Sequence, residues 1–479
     1  MRFLNRDDEL ARLDGLAKDR AGGLAVVWGR RRVGKTRLLV EWAKRAGGVY
    51  TVADMSTPDV QRRYFAEAIA ERLPGFADVT YPDWGRLFER LARDAAAQRF
   101  RGPIVVDELP YLAASSPELA SVLQRWIDHA ARDARLVVAL AGSSQRMMQG
   151  LVLDGAAPLF GRAKVALKIA PLAPEHVVDA FGALGPIDVV QTWAAWGGVP
   201  RYWELAAPLR VSVDKQLDAL VLDPNGPLHS EAERVLLEEV PAATEVRPVL
   251  DAIGAGAHRV SEIAGRLGRP ATSLARPLER LSGMDLVRRE VPYGEPARSG
   301  KRSLYRIDDP FFRLWFRVVA PHRAALVAGS PASRAAVLSR HWDALCGLAW
   351  EDLCRTQLLR ARPLARLGAF QPPQRWWSGN APEWDLVADS VDGRSTLVGE
   401  SRFVRRVLGA RELEAEARRL TARPLPTPLA ERDPKTIVRA LFVPATAPHA
   451  PRRIGEVSIV TCADLLGRRL GTRARSRRA

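Results

Sequence analysis

The segment that most constrains this chain runs from residue 29 to residue 36, with the sequence Gly29-Arg30-Arg31-Arg32-Val33-Gly34-Lys35-Thr36. It has the G-x-x-x-x-G-K-[ST] form of a phosphate-binding loop, or P-loop. Residues 24–28 before it are a short apolar run, and residues 37–43 after it carry apolar side chains at helical spacing. Strand, glycine loop and helix form the context that this motif requires, so the segment predicts nucleotide binding.

The residues of the P-loop have distinct expected roles. Its glycines let backbone N–H groups turn inward, where they and the helix N-terminus hold phosphate oxygens. Lys35 would reach the β- and γ-phosphates, and the Thr36 hydroxyl would ligate Mg²⁺. ATP and Mg²⁺ are therefore the predicted cofactors.

An acidic pair follows a second apolar strand. Residues 103–106 are apolar and lead into Asp107 and Glu108. Asp107 would hold Mg²⁺, directly or through water, and Glu108 would polarise the attacking water as a general base. An acidic loop after a buried strand is the alternative, but the P-loop upstream favours an ATPase.

Two further residues are candidates for catalysis. Ser143 ends an apolar run and could sense the γ-phosphate or orient the water, although a helix N-cap would use the same residue type. Arg162 precedes another apolar strand and could stabilise transition-state charge as an arginine finger, or it could be a surface arginine. A finger supplied to a neighbouring copy would require a homo-oligomer.

Composition narrows the class of protein and of partner. A length of 479 residues predicts two to four domains, and 47% hydrophobic residues are typical of globular proteins. The net charge of +17 predicts a polyanionic partner, nucleic acid first, although an arginine-rich tail carries part of the excess. The apolar runs are too short to span a bilayer, no signal-peptide pattern is present, and the three cysteines lack paired spacing. We predict a cytoplasmic protein without membrane contact.

The middle of the chain predicts a winged helix. Residues 261–268 and 271–281 have the pattern of a helix-turn-helix, and two alternating strands follow, separated by a Gly- and Pro-rich basic loop. In this arrangement the second helix usually enters the major groove of DNA, where Arg269, Arg276 and Arg280 could meet phosphates or bases. Pro277 should kink that helix, and winged helices also serve as protein-contact modules.

Three carboxylates in the last third could form a second metal site. Asp385 and Glu400 lie on two strands joined by a hairpin turn, and Glu351 lies on the preceding helix. Clustered carboxylates hold Mg²⁺, and Mg²⁺ can activate water against a phosphodiester. The same residues could instead belong to a domain that binds without cleaving.

The motifs in the first two thirds resemble those of archaeal-type AAA ATPases, in the STAND-like part of the AAA+ class. The resemblance rests on the P-loop together with Phe3…Arg6…Glu9-Leu10, Val106-Asp107-Glu108, Gly142-Ser143-Ser144, Pro158-Leu159-Phe160-Gly161-Arg162, Gly197-Gly198-Val199-Pro200-Arg201-Tyr202 and residues 303–316. It implies a helical lid in which Pro200 lies near the adenine and reports nucleotide state. An ordinary interhelical turn would also explain the glycine and proline residues there.

The last third resembles the DUF234 region of this family, which looks like a restriction-endonuclease domain of the PD-(D/E)xK type. That resemblance implies a metal-dependent nuclease site at Glu351, Asp385 and Glu400. The final motif is usually Glu-x-Lys, whereas this chain has Glu400-Ser401-Arg402. Arginine is bulkier than lysine and forks differently, which puts cleavage in doubt.

The predicted fold class is α/β, with a P-loop NTPase (AAA+) parallel sheet core, a helical lid, a winged helix and a small nuclease-like α/β domain. The predicted boundaries are 1–172 for the ATPase core, 173–235 for the lid, 236–316 for the winged helix and aromatic segment, 317–467 for the nuclease-like domain and 468–479 for a basic tail. The first functional hypothesis is an ATP-hydrolysing protein recruited to DNA. The alternatives are a STAND-type switch acting through a protein partner, and a nuclease gated by ATP.

Overall fold

The computed structural model describes residues 3–143, 145–239, 243–296, 298, 300, 302–359, 367–467 and 470. They separate into two units. The first unit comprises Phe3–Leu172 with Val199–Arg201, and the second comprises Ala173–Gly198 with the described residues from Tyr202 onward. The expected basic tail, 468–479, lies outside the described residues apart from Leu470.

The first unit is built on a parallel sheet. Its described strands are β1 (Gly23–Trp28), β2 (Val49–Val52), β3 (Pro103–Asp107), β4 (Val137–Gly142) and β5 (Ala163–Lys168), in the spatial order β2-β3-β4-β1-β5. Its described helices are α1 (Asp7–Lys18), α2 (Lys35–Arg45), α3 (Pro58–Ala70), α4 (Trp84–Ala97), α5 (Leu109–Ser115), α6 (Leu119–Trp126) and α7 (Gln145–Met148).

Helices cover both faces of this sheet, which explains why its inner strands β1, β3 and β4 are almost entirely apolar. Every residue of β3 and β4 is buried. Along β1 the side chains alternate between two cores: Leu24 and Val26 pack with residues of α3 and α4, while Ala25 and Val27 pack with residues of α1 and α2. A parallel sheet buried on both faces confirms the predicted fold class of the core.

The strand direction brings the predicted catalytic residues to one edge. The P-loop follows β1, Asp107 ends β3 and Ser143 follows β4, and β4 lies between β3 and β1. In parallel strands these positions share the carboxyl-terminal edge of the sheet. That edge, at the point where the chain leaves the sheet to form loops, is where ligands bind in open α/β folds.

The second unit begins with helices and a hairpin. The helices described before the C-terminal sheet are α8 (Val177–Phe181), α9 (Pro186–Trp196), α10 (Pro200–Ala206), α11 (Val213–Leu217), α12 (Glu231–Glu239), α13 (Ala243–Gly254), α14 (Val260–Leu267), α15 (Ala275–Gly283), α16 (Pro310–Leu314), α17 (Ala320–Ala328) and α18 (Pro331–Leu358). An antiparallel hairpin of β6 (Val287–Glu290) and β7 (Leu304–Ile307) follows α15.

A mixed sheet occupies the C-terminal part of the second unit. Its described strands are β8 (Gln374–Trp376), β9 (Trp384–Asp389), β10 (Thr396–Ser401), β11 (Ile437–Val443), β12 (Arg453–Ile454) and β13 (Val457–Thr461), and the remaining helices are α19 (Ala410–Ala422) and α20 (Cys462–Leu466). The strand order is β12-β13-β11-β10-β9-β8. β9 and β10 pair antiparallel, whereas β10, β11 and β13 are parallel, so the acids on β9 and β10 lie on adjacent strands.

The continuous helix expected over residues 271–281 is wrong in detail. Residues Ala271–Leu274 form a 3₁₀ turn, and α15 begins only at Ala275. Pro277 is therefore the third residue of α15, in the first turn, where a missing backbone N–H leaves no helical hydrogen bond unmade. The chain avoids the expected kink by starting the α-helix later.

The aromatic segment after the hairpin forms part of the core. Phe311, Phe312, Trp315 and Phe316 are all buried, and the Phe311 ring lies 4.4 Å from that of Tyr202. Among the described helices, none combines the length and the apolar character that crossing a membrane requires.

Candidate functional site

The P-loop adopts a backbone conformation that its glycines permit. Gly34 has φ +94°, in the left-handed region, and α2 begins immediately after it without a side-chain cap. A Cβ on Gly29 would lie 2.4 Å from the Ile169 carbonyl oxygen, so only glycine fits there. The uncapped first turn of α2 directs its N–H groups toward the loop, which suits an anion.

Hydrogen bonds from neighbouring residues hold the backbone of this loop in place. Val33 is fully buried, and its carbonyl accepts a hydrogen bond of 2.9 Å from the Arg6 guanidinium, which also donates to the Ala170 carbonyl. Arg30 is buried, and the Arg31 guanidinium donates to the Tyr111 hydroxyl at 2.9 Å. Arg6 therefore connects the start of the chain to the P-loop.

Lys35 lies inside the loop. Its side chain is buried, and Nζ donates hydrogen bonds to the carbonyls of Gly29 at 2.8 Å and Arg30 at 3.0 Å. The amine is thus held at the centre of the loop, among its backbone groups. This is the position from which the lysine of the motif contacts phosphates.

Asp107 is a buried carboxylate that accepts hydrogen bonds from neutral donors. Its Oδ2 accepts from the Thr36 hydroxyl and from the Tyr50 hydroxyl, each at 2.8 Å, and its Oδ1 accepts from the Glu108 N–H at 2.9 Å. Among the described residues, no arginine, lysine or histidine forms an ion pair with it. Hard oxygen donors with an uncompensated negative charge fit Mg²⁺, with phosphate oxygens and water as the other ligands.

Glu108 and Ser143 contact each other beside this carboxylate. The Ser143 hydroxyl donates a short hydrogen bond to the Glu108 carboxylate, and the Ser143 N–H lies 3.4 Å from its other oxygen. Glu108 has φ +54° and ψ +40°, a left-handed conformation that is uncommon outside glycine. Ser144, the next residue of this motif, lies outside the described residues.

Arg162 lies at the opposite edge of the sheet. It precedes β5, which runs parallel to β1 with Leu24 opposite Ala163, so a strand length of roughly 17 Å separates it from the P-loop edge. Its guanidinium forms a bidentate ion pair with Asp128, with two contacts of 2.8 Å. This position does not allow contact with phosphates bound at the P-loop of the same chain, and a finger supplied to a neighbouring copy stays a prediction.

Pro200 lies against the P-loop. Its Cγ is 3.8 Å from the position that a Cβ on Gly34 would occupy. Pro200 is also the first residue of α10, where its fixed φ suits a helix start. Its expected contact with the adenine stays a prediction.

Comparisons with known proteins agree with this geometry. Residues 3–205 match the family described as an ATPase domain predominantly from Archaea, and residues 315–416 match DUF234, described as archaeal and bacterial proteins of unknown function. The chain therefore carries an archaeal-type ATPase domain followed by a DUF234 segment. The winged helix and the STAND-like assignment stay predictions.

Two relatives extend this result. An uncharacterized protein of Methanocaldococcus jannaschii is 26% identical over 403 residues, which cover 84% of this chain and 87% of that protein. The structure of a Walker-type ATPase of Pyrococcus abyssi superposes with a TM-score of 0.51 at 19% identity, covering 66% of this chain and 96% of that one. At this identity the structural likeness concerns the fold.

The DUF234 segment contains the three carboxylates proposed as a second metal site, but arginines already neutralise Glu351. Its carboxylate forms ion pairs with Arg375 at 2.8 Å and with Arg355 at 3.0 Å. Burial raises the pKa of Glu351, and the two guanidinium groups oppose that effect.

Asp385 and Glu400 also have partners of their own. Asp385 Oδ2 accepts hydrogen bonds from the Ser401 N–H at 2.9 Å and the Ser401 hydroxyl at 2.8 Å. Glu400 pairs with Arg423, whose guanidinium lies over the Trp384 ring. Burial, and then the charge of Asp385, raises the pKa of Glu400 to about 7.

The three-carboxylate metal site expected at Glu351, Asp385 and Glu400 is therefore corrected. In the described part of the chain, no group of three or more His, Cys, Asp or Glu side chains is placed to hold a metal ion. Arg402, which replaces the usual lysine, is half exposed and lies 3.7 Å from Glu416 of α19. The nuclease-like sheet is present, but its acidic residues are occupied by arginine and serine partners.

A larger set of ion pairs surrounds Glu351, and we refer to it as the arginine–carboxylate cluster. It consists of Arg288, Glu290, Arg306, Asp308, Arg313, Glu351, Asp352, Arg355, Arg375 and Glu383. Burial opposes ionisation of Glu290, but the arginines around it outweigh burial and lower its pKa to about 2. The cluster joins the β6–β7 hairpin to α18 and β8 through ion pairs.

The loop of the hairpin packs against the C-terminal sheet. The Tyr293 N–H donates to the Arg375 carbonyl at 2.8 Å, and the Tyr293 hydroxyl donates to Asp389 at 2.8 Å. This end of the predicted wing is therefore an internal contact. At Tyr293 the loop is therefore not available to contact DNA.

The predicted DNA-contacting arginines differ in their surroundings. Arg269 and Arg276 are exposed, whereas Arg280 is partly buried and lies 3.4 Å from Glu245 of α13. Arg269 and Arg276 flank the start of α15, and Arg280 lies in its last turn.

Sequence reasoning missed two residues of the candidate sites. Tyr50 contacts Asp107, and the signal was available, because β2 and β3 are the strands on either side of α3 and α4 and can pair in a parallel sheet. Arg375 contacts Glu351, but it lies on β8, a short strand that the sequence pattern did not reveal.

Proposed function

We propose that this protein binds ATP with Mg²⁺ at the P-loop, hydrolyses it, and is recruited to DNA through its second unit. The observation that carries the ATPase part is the convergence of Lys35, Thr36, Asp107 and Glu108 at one edge of the parallel sheet. Few other functions require a buried amine, a hydroxyl and two adjacent carboxylates at a glycine loop.

Lys35 and the first turn of α2 bind the phosphates in this proposal. The Lys35 amine exchanges its contacts with loop carbonyls for contacts with β- and γ-phosphate oxygens, and the N–H groups after Gly34 complete the cradle. Pro200, beside Gly34, is placed to respond when the loop binds a nucleotide.

Thr36 and Asp107 hold the metal ion. A Mg²⁺ ion held there would supply positive charge against the charge that develops on the phosphates. Thr36 supplies its hydroxyl oxygen, and Asp107 supplies carboxylate oxygen directly or through water. The neutral donors around Asp107 orient this carboxylate without cancelling its charge.

Glu108 accepts a proton from the attacking water, and Ser143 orients the Glu108 carboxylate. The Ser143 hydroxyl and N–H both approach the Glu108 carboxylate, which fixes the direction of its oxygens. The Glu108 carboxylate contacts Ser143, whereas the Asp107 carboxylate contacts Thr36 and Tyr50, so the two acids have different partners. Orienting donors of this kind are typical partners of a general base.

The ATPase part is tested by nucleotide binding and steady-state hydrolysis. We expect the parent protein to bind ATP and Lys35→Ala to lose binding by at least about 100-fold, because phosphates lose their main cation. Lys44→Ala, on the same helix but beyond its phosphate-facing turn, is the control and should bind like the parent. Equal ATP affinity in Lys35→Ala and the parent would refute the proposal.

The DNA part is supported by exposed charge on the second unit. Arg269 and Arg276 are exposed near the start of α15, the helix that the predicted winged helix would direct at DNA. The net charge of +17 favours a polyanionic partner. Because the hairpin loop packs internally through Tyr293, we assign the contact to α15 rather than to the wing.

DNA contact is tested with duplex DNA at low and moderate salt. We expect Arg269→Ala/Arg276→Ala to weaken binding and to reduce the slope of log affinity against log salt by about 2, since each phosphate contact contributes about 0.9. Arg93→Ala/Arg132→Ala, which removes two exposed arginines of the first unit, is the control. If DNA neither binds nor stimulates ATP hydrolysis, the DNA part fails and a protein partner becomes the better hypothesis.

A further inference from the structure

We propose that Tyr50 is a positioning residue of the magnesium site, which directs one oxygen of Asp107 toward the metal. The inference rests on the proposed ATPase function and adds a residue outside the P-loop and the acidic pair. It starts from the 2.8 Å hydrogen bond between the Tyr50 hydroxyl and Asp107 Oδ2. The contact links β2 to the end of β3, across a parallel strand pair in which Val52 lies opposite Asp107.

The argument depends on counting the acceptor positions of Asp107. A carboxylate offers about four lone-pair positions, two on each oxygen. On Oδ2, Thr36 and Tyr50 occupy both positions, and on Oδ1 the Glu108 N–H occupies one. One position therefore remains, on Oδ1, and it is the position available to the metal or to a metal-bound water.

By occupying the second position on Oδ2, Tyr50 determines which oxygen of Asp107 is available to the metal. The Thr36 hydroxyl can keep donating its proton to Oδ2 while its oxygen ligates the metal. Without the phenol, Oδ2 would have a free position next to Thr36, and a metal-bound water could hydrogen-bond to either oxygen. The phenol restricts that water to Oδ1, so the carboxylate presents a single geometry.

The chemistry of the phenol suits this role. A phenol hydroxyl is protonated at neutral pH, so at 2.8 Å from Asp107 Oδ2 it acts as a hydrogen-bond donor to that oxygen. A phenol is neutral, so it orients the carboxylate without cancelling the charge that attracts Mg²⁺. An arginine or lysine at this place would compete with the metal for the same charge.

A purely structural role for Tyr50 makes a different prediction. If the hydroxyl only joined β2 to β3, its loss would lower stability and would affect nucleotide binding equally with and without metal. A positioning role affects the contribution of Mg²⁺ specifically. Tyr50→Phe separates the two, because it removes the hydroxyl and keeps the ring and its packing.

The experiment is calorimetric titration of ADP into the full chain, in EDTA and in Mg²⁺. For the parent, we expect Mg²⁺ to tighten ADP binding. For Tyr50→Phe, we expect affinity in EDTA to stay within about twofold of the parent and the Mg²⁺-dependent tightening to fall about tenfold, the size of one hydrogen bond to a charged group. The Mg²⁺ concentration for half-maximal ATP hydrolysis should rise by a similar factor.

The matched control is Tyr81→Phe. Tyr81 belongs to the same unit, and its hydroxyl donates to the Phe76 carbonyl at 2.6 Å, away from the P-loop. This variant also loses one buried phenol hydroxyl, so it should keep the Mg²⁺ dependence of the parent. A drop as large as that of Tyr50→Phe would show that the effect is not specific to Asp107 and would overturn the inference.

A double-mutant cycle tests whether Tyr50 acts through Asp107. In an Asp107→Asn background, Tyr50→Phe should cause no further loss of Mg²⁺-dependent tightening, because the oxygen it directs is no longer part of a carboxylate. Additive losses, or unchanged Mg²⁺ dependence in Tyr50→Phe alone, would overturn the inference. Failure of the parent to bind ADP would instead refute the proposed function.

Discussion

Two groups of carboxylates in this protein resemble each other in sequence and differ in their partners. In the ATPase domain, Asp107 is surrounded by two hydroxyls and a backbone N–H. In the DUF234 segment, Glu351 lies between Arg355 and Arg375. Both are buried acids, yet among the described residues Glu351 forms ion pairs with arginines and Asp107 forms none.

The difference shows what distinguishes a metal site from a structural ion pair. Hydroxyl and amide donors orient a carboxylate, and they leave its charge available to an entering cation. Guanidinium groups supply that cation from within the chain, so a metal ion would have to displace them. The partners of an acid, more than its burial, therefore indicate what it does.

The largest expected effect is on ATP hydrolysis at the carboxylates of the ATPase domain, Asp107 and Glu108, which we call the first group; Glu351, Asp385 and Glu400 are the second group. Glu108→Gln should keep ATP affinity and reduce the rate of ATP hydrolysis on the order of 1000-fold, because the amide cannot accept the proton of the attacking water. Glu400→Gln makes the same chemical change in the second group and should hydrolyse ATP like the parent. Turnover by Glu108→Gln at the parental rate would remove Glu108 from the mechanism.

The next effect is on stability through the second group. Arg375→Met should lower the free energy of unfolding by about 3 kcal/mol, because it leaves Glu351 and Glu290 with fewer compensating charges in a buried place. Arg93→Met, at an exposed position, should change it by less than about 1 kcal/mol. Urea unfolding measures both, and equal stability of the two variants would contradict a structural role for the arginine–carboxylate cluster.

A smaller effect concerns pH. The folded protein holds a proton on Glu400 up to about pH 7, whereas an unfolded glutamate releases it near 4.5. Between these values the folded state binds more protons, so stability falls as the pH rises through this window. Compared with Glu400→Gln, the parent should lose about 2–3 kcal/mol between pH 4.5 and 7, because each unit of pKa difference corresponds to about 1.4 kcal/mol. Parallel stability curves for the two proteins would show that Glu400 titrates normally.

The smallest expected effect is that of Mg²⁺ on the melting temperature, which should hardly change. Without nucleotide, millimolar Mg²⁺ should shift the melting temperature of the parent by less than about 1 °C, since arginines already pair with Glu351 and Glu400 and leave Asp385 as a single acid. Asp385→Asn should behave in the same way. A stabilisation by Mg²⁺ that disappears in Asp385→Asn would break the comparison and restore a metal site to the DUF234 segment.

The surroundings of the first group could be predicted better than those of the second, because its residues belong to recognisable sequence motifs. Lys35 and Thr36 belong to a short contiguous motif, and Asp107 follows a strand whose apolar run is easy to recognise. Glu351 and Arg355 lie four residues apart on α18, a spacing that could have revealed their pairing. Arg375 could not be placed, because its three-residue strand carries no periodic signal.

Strand direction explains the other differences. Arg162, a candidate arginine finger or surface arginine, precedes its strand and so lies at the edge of the sheet opposite the P-loop. Tyr50 lies within its strand, and only the pairing of β2 with β3 brings it to Asp107. The position of Arg162 follows from strand direction, whereas that of Tyr50 follows from strand pairing, which the order of β2, α3, α4 and β3 permits but does not require.

The arginine–carboxylate cluster also affects how these segments can be inherited. Arg288 of the hairpin and Arg313 of α16 share Asp352 of α18, so residues on both sides of the predicted boundary at 316 complete one another. Recombination that exchanged the C-terminal part alone would leave buried guanidinium groups without their acids. We therefore expect the hairpin and the DUF234 segment to be inherited together, as one unit of recombination.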